Sequence, residues 1–189
     1  MSYFPTFLKF DNKRVLIIGG GKIANDKLTH LLEFTKKIAI ITPTVSTEMS
    51  TIINQNSLHL DKRSYEVGDI ENYDVVVCAI DNIPLQQSIF EESRKYRCLY
   101  NCVDIKECCD FIFPAYIKKG DLTVAISTAG GSPALTKQLR IYFEKVIPDS
   151  VVNFLEEMKD YRKTMPKGKQ RMEFLESKAK KYLNTWSNK

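Results

Sequence analysis

The apolar run Arg14-Val15-Leu16-Ile17-Ile18 ends in three glycines, and Lys22-Ile23-Ala24 opens a helical pattern directly after them. β-Branched residues with a glycine stop read as a strand buried on both faces. Ile23, Ala24, Leu28, Leu31 and Leu32 then recur at helical spacing, which predicts a helix ending near Phe34. A second apolar run, Ile38-Ala39-Ile40-Ile41, completes a strand–helix–strand unit of about 30 residues. The loop fits Gly19-x-Gly21-x-x-Ala24. Gly19 permits the tight turn, Gly21 lets a pyrophosphate approach the backbone, and Ala24 keeps helix and strand close. At Lys22 and Ile23 the helix start offers N–H groups and partial positive charge to phosphates.

The alternation continues. Leu58-His59-Leu60 is a weak strand, Asp74 to Ala79 a strong one, Pro84 to Tyr96 a helix, and Cys98 to Val103 another strand. Strands alternating with helices argue a parallel, doubly wound sheet. The expected fold class is therefore α/β, with a Rossmann-type sheet over residues 1–113 that binds a dinucleotide. After Pro114 the pattern changes. Ala115 to Ile117 and Leu122 to Ser127 flank Lys118-Lys119-Gly120-Asp121, a predicted antiparallel hairpin. Ser132 suits an N-cap and Pro133 the first turn of a helix carrying Leu135, Leu139, Tyr142, Phe143 and Val146, which Pro148 ends. Residues 114–148 thus form a hairpin-plus-helix region, and 149–189 a basic pair of helices, roughly 149–164 and 170–183.

NAD-binding folds usually hold the ribose hydroxyls with an acid about 20 residues past the glycines. Here that stretch reads Ile41-Thr42-Pro43-Thr44, so hydroxyls of Thr42 and Thr44 or backbone groups must serve. No Arg or Lys stands there for a 2′-phosphate, which favours NAD mildly. A short-chain dehydrogenase would need Tyr-x-x-x-Lys, and no tyrosine has Lys four residues on. The five cysteines, Cys78, Cys98, Cys102, Cys108 and Cys109, show no CxxC, and His30 and His59 stand apart from them. They read as reduced thiols and not as a metal site. No run is long and apolar enough for a bilayer, and no basic-then-apolar leader is visible, so a soluble cytoplasmic protein is expected. From Lys159 to Lys189 ten Lys and Arg face three Asp and Glu, against +5 for the whole chain. Such a tail is either the solvated face of helices or an attractor of an anionic ligand. It lacks zinc-finger spacing or an RNP-type aromatic motif, so neither nucleic acid nor membrane is an expected partner.

Several further segments carry a resemblance. They are Phe4-Pro5, Gly19-Gly20-Gly21-x-x-Ala24-x-x-Lys27, Ala79-Ile80-Asp81-Asn82, Asn101-Cys102-Val103-Asp104, Asp110-Phe111-Ile112-Phe113-Pro114-Ala115, and the run from Leu122 to Leu135 through Thr128-Ala129-Gly130-Gly131-Ser132-Pro133. In this order, from about Phe4 to Pro148, the sequence resembles the precorrin-2 dehydrogenases of siroheme biosynthesis. That family includes stand-alone enzymes, a bifunctional dehydrogenase/ferrochelatase, and the N-terminal module of the fused siroheme synthase. The resemblance implies NAD-dependent oxidation of precorrin-2 to sirohydrochlorin in a homodimer, with Fe²⁺ as a further substrate in some members. The methyltransferase module of the fused members has no counterpart within these residues.

The resemblance also implies site residues. Asp104 is the expected general base, at the carboxyl edge of the sheet where doubly wound folds bind ligands; the plainer reading is an Asp capping a turn. Ala79 and Asp81 join Gly19, Gly21, Lys22, Ile23, Ala24, Thr42, Pro43 and Thr44 around the cofactor. Asn101, Ser127, Thr128, Gly130, Ser132, Lys137 and Arg140 are substrate candidates; helix capping explains the loop among them equally, and surface solvation explains Lys137 and Arg140 nearly as well. No residue is expected to hold a resident metal. A different class stays open: a non-catalytic Rossmann ligand sensor that regulates a partner.

Overall fold

A computed structural model describes residues 3–186. It divides into two compact units, residues 3–112 and 113–186. The first contains β1 (Val15–Ile18), α1 (Lys22–Leu32), β2 (Ile38–Ile41), α2 (Thr47–Gln55), β3 (His59–Asp61), β4 (Val75–Cys78), α3 (Ile83–Tyr96) and β5 (Leu99–Cys102), followed by a short 3₁₀ turn at Lys106–Cys108. All five strands are parallel, in the order β3-β2-β1-β4-β5. This is the Rossmann-type sheet that the alternating pattern predicts.

The physical reason lies in the strands themselves. Every residue of β1, β2 and β4 is buried, as a sheet covered by helices on both faces requires. Side chains alternate across the sheet. Leu16, Ile18, Ala39, Ile41, Val76, Cys78, Tyr100 and Cys102 share one core with Ile89 of α3. The alternate residues of β1, β2 and β4 point to the opposite face, and Ala24, Leu28 and Leu31 of α1 are buried too. One element departs from the sequence reading: α2 stands where no helix is predicted. It buries only Met49 and Ile53 and starts on the Ser46 side chain, which accepts from the Met49 amide at 3.2 Å.

Carboxylates hold the strand ends and loops. Asp74 accepts from the Arg14 amide at 2.8 Å and from Lys13 at 3.3 Å, joining the starts of β4 and β1. Arg63 makes two bonds of 2.7 Å to Asp69, which also accepts from the Glu66 amide at 2.8 Å. Those partners hold the Asp69 carboxyl below the usual carboxylate range, the Arg63 guanidinium first. A carboxylate lowered in the folded state stabilises fully above its unfolded value of about 3.9, and the contribution is lost as pH falls through the lowered value. Asp69→Asn should therefore lose less unfolding free energy than the wild type on acidification from about pH 5 to pH 2. Denaturant titrations across that range measure the slopes; equal slopes would remove Asp69 from the acid response.

In the second unit, β6 (Ala115–Lys119) and β7 (Leu122–Ile126) pair antiparallel across Gly120, whose φ of +57° the tight turn requires. The helices α4 (Pro133–Val146), α5 (Val151–Thr164) and α6 (Lys169–Asn184) follow. Phe154 of α5 stacks on Tyr182 of α6 at 4.0 Å between ring centroids, and Lys178 pairs with Glu157 at 2.8 Å. The hairpin and the helices match the sequence pattern.

Candidate dinucleotide and acid–base site

Because the strands are parallel and in register, their carboxyl ends deliver residues side by side. Ile18 lies opposite Cys78, and Cys78 opposite Cys102. Gly19, Ala79 and Val103 therefore leave the sheet next to one another. The chain moves from β1 outward to β2 and β3, then returns to β4 on the other side. The gap between β1 and β4 is thus the switch point, where open α/β sheets bind ligands.

The three glycines have three different jobs. Gly19 has φ of +124°, and a Cβ there would run into the Ala79 carbonyl group, 2.8 Å from its carbon. A Cβ on Gly20 would strike the Thr44 carbonyl oxygen and come 2.8 Å from Thr42 Oγ1. Around Gly21 there is no atom within 4 Å of that position. Gly19 and Gly20 are small so that the protein can close upon itself, and Gly21 is small beside open space. Gly21 is also the N-cap of α1; it offers no side-chain acceptor, and the first turn holds no acid. The open face at Gly21 and the uncapped start of α1 fit a dinucleotide pyrophosphate. Lys22 and Ile23 are exposed beside it, whereas Ala24 is fully buried against the sheet.

The loop after β2 is tied to the glycines. Gly19 donates to Ile41 O at 2.9 Å and Ser46 to Gly20 O at 2.9 Å. Thr42 is buried and donates its hydroxyl to the Thr44 carbonyl at 2.6 Å. Its proton is spent inside the loop, so the exposed side chains of Pro43 and Thr44 are what this segment offers outward. Asp81 is exposed in the turn before α3, next to Asn82, whose side chain caps that helix through the Leu85 amide at 3.0 Å.

Asp104 follows β5, as the sequence places it, and is exposed. Its Oδ2 accepts from Gln86 Nε2 at 2.6 Å, and the same nitrogen donates to Ile80 O at 2.8 Å. Below it, Asn101 is buried and turns its amide inward, to Phe111 O at 2.8 Å and Cys109 Sγ at 3.6 Å. Asn101 therefore braces the Asp104 loop from inside. Asp110 pins the far end of that loop, accepting two bonds from Arg94 and one from the Tyr100 amide. All five cysteines are free thiols. Burial pushes the Cys78 thiol up to about 11 and that of Cys102 up to about 12, which suits inert, reduced groups. Lys27, half-buried on α1, has its amine held below the usual lysine range by burial.

The remaining candidates belong to the second unit. Ser127 Oγ accepts from the Ala129 amide at 3.0 Å, and Thr128 Oγ1 from the Ser132 amide at 3.0 Å. Ser132 caps α4 through the Leu135 amide at 3.2 Å. Ala129 and Gly130 both have positive φ, +51° and +83°. Local capping thus engages these hydroxyls, and Gly130 supplies the bend. Lys137 is exposed, and Arg140 is paired with Glu144 at 2.7 Å, one turn along the helix. Among the described residues no group of three or more His, Cys, Asp or Glu could hold a metal ion, and no helix is long and apolar enough to cross a membrane.

Sequence reading missed two residues of this site. Gly20 is the wild-card position of the glycine fingerprint, and its neighbours come from Thr42 and Thr44, more than twenty residues on. Gln86 carries one signal only, a polar residue on the helical face that Ile89 also occupies.

The comparisons agree with this architecture. Residues 6–115 match the model of a family described as "Putative NAD(P)-binding". The siroheme synthase of Pseudoalteromonas translucida (strain TAC 125) is 32% identical over 151 residues, covering 80% of this chain and 32% of that protein. That of Methylococcus capsulatus is 33% identical over 148 residues, covering 78% of this chain and 31% of its own length. The chain therefore spans about a third of the curated relatives it matches. A solved structure of "SirC, precorrin-2 dehydrogenase" aligns with a TM-score of 0.76 at 21% identity, over 99% of this chain and 100% of that one.

Proposed function

This chain belongs to the NAD(P)-binding family that covers residues 6–115, and from that premise we propose that it oxidises precorrin-2 to sirohydrochlorin with NAD⁺, in siroheme biosynthesis. One observation carries the reading: a carboxylate, Asp104, is held by a buried amide at the same sheet edge as the open glycine face. The siroheme synthase relatives supply the substrate class.

When bound, NAD⁺ supplies the two-electron acceptor of the oxidation. The protein's residues do the rest. The start of α1 at Lys22 and Ile23 balances the pyrophosphate charge, Gly21 admits it, and the exposed Pro43, Thr44 and Asp81 flank it beside the partly buried Ala79. One C–H bond of the macrocycle gives up its hydrogen with the electron pair, as hydride, to that acceptor, and Asp104 takes the proton released from the neighbouring position as the new double bond forms. Lys137, Arg140 and the loop bearing Ser127, Thr128, Gly130 and Ser132 are proposed to meet the substrate's carboxylates. A homodimer and a cytoplasmic location complete the proposal. The first is supported by α4, which buries none of its residues and leaves Leu135, Tyr142 and Val146 exposed along one stripe. Five free thiols suit the second.

The test is direct. Purified protein is mixed with precorrin-2 and NAD⁺, and NADH and sirohydrochlorin are followed by absorbance. Stoichiometric formation of both is expected. NAD⁺ binding without turnover would overturn the enzyme reading in favour of a ligand sensor. Sirohydrochlorin with Fe²⁺ in a second cuvette reads whether the protein also inserts metal.

A further inference from the structure

Gln86 sits in the first turns of α3 with no solvent exposure. Its main chain is fixed on both sides. The Gln86 amide donates to Asn82 O at 2.9 Å, and the buried Tyr100 hydroxyl donates to Gln86 O at 2.9 Å. Its side chain spends both Nε2 protons, one on Ile80 O and one on Asp104 Oδ2, while Oε1 has no partner. An unpaired buried acceptor costs stability that an apolar side chain of similar size would not. Turning the amide over offers no remedy, because Oε1 would then face a carbonyl and a carboxylate, both acceptors. The chemistry favours glutamine for what its nitrogen holds.

We propose that Gln86 is the positioning residue of Asp104, an inference that rests on the dehydrogenase reading above. It fastens the carboxylate to Ile80, one residue beyond the Ala79 carbonyl against which Gly19 closes. Cofactor loop and base are thereby set by one rigid sheet edge. With Oδ2 held, Oδ1 is the oxygen presented for the proton. Asp104 stands on an exposed loop, and without this bond its carboxylate would sample many rotamers. A general base depends on placement within a fraction of an ångström.

The experiment compares the wild type, Gln86→Leu, Asp104→Asn and the double variant. Each is scored by kcat, by KM for both substrates, by NAD⁺ affinity and by melting temperature. In Gln86→Leu, kcat should fall about 10- to 100-fold, with NAD⁺ affinity and melting temperature kept. The double variant should be no slower than Asp104→Asn alone, since both changes act through one carboxylate. Full kcat in Gln86→Leu, or losses that multiply in the double variant, would overturn the proposal while leaving the dehydrogenase reading intact. A wild type without turnover removes the reading itself and the role of Gln86 with it. Should Gln86→Leu fail to fold, Gln86→Glu decides. A second carboxylate against the first should move the acid limb of its pH–rate profile to higher pH, whereas a purely structural residue would leave the limb in place.

Discussion

Asp104→Asn should slow the oxidation of precorrin-2 by about 10²-fold or more, the usual worth of a positioned general base, while NAD⁺ binding and melting temperature stay near wild type. The reason for the clean separation is geometric. Asp104 is exposed, and its side chain accepts one bond, from Gln86. Asparagine can accept that same bond through its own carbonyl oxygen, so the loop keeps its anchor and loses only the proton acceptor. Steady-state rates with both substrates saturating, beside calorimetric titration with NAD⁺, measure the two sides. Undiminished turnover would disqualify Asp104 as the base. Where the wild type also inserts Fe²⁺, a parallel fall in that rate would assign both proton transfers to one carboxylate.

Neighbouring glycines should fail in opposite ways. Gly20→Ala puts a methyl group into the Thr44 carbonyl, a backbone atom that cannot swing aside. A loss of about 3 kcal/mol or more in folding stability is expected, and weakened NAD⁺ binding follows from the displaced loop. Gly21→Asp meets no atom, at an ordinary φ of −85°. Aspartate is moreover a favoured N-cap at the positive end of a helix. Melting temperature should hold or rise, while NAD⁺ affinity falls about a hundredfold, or about 3 kcal/mol, through a like charge against the pyrophosphate. Thermal unfolding and NAD⁺ titration of both variants provide the check. A Gly21→Asp protein that binds NAD⁺ normally would take the cofactor off this loop.

The contrast between those glycines shows which parts of the site can be read from sequence. Gly19, Gly21 and Ala24 follow from the local demands of a strand that turns at once into a helix, and Val15 to Ile18 announce a strand covered on both faces. Gly20 does not follow, because what it accommodates is the return of Thr42 and Thr44. The helix α2 was equally hidden: with only Met49 and Ile53 buried, its apolar stripe has two members. A polar run behind Pro43 reads as loop at that signal strength, and only the Ser46 cap betrays the helix. Thr42 illustrates the reverse case. Its residue type suits a ribose contact, and the structure adds what the type alone does not show: its hydroxyl proton goes to the Thr44 carbonyl two residues on. Gln86 and Asp104 meet across eighteen positions and an irregular loop, a pairing that no periodicity encodes.

The strand order also governs how the protein emerges during synthesis. Residues 15–18 of β1 pair on one side with 38–41, a short distance on, but on the other side with 75–78. A nascent chain that has made β1, β2 and β3 therefore carries an open apolar edge along Val15 to Ile18. That edge can pair only after Cys78 has left the ribosome, and until then it is a hazard for association with other chains. The glycine loop is unfinished for the same interval, since Gly19 closes against Ala79. Cofactor capture thus waits on β4, and a chain that stalls before it has no completed cleft with which to draw on the cell's NAD.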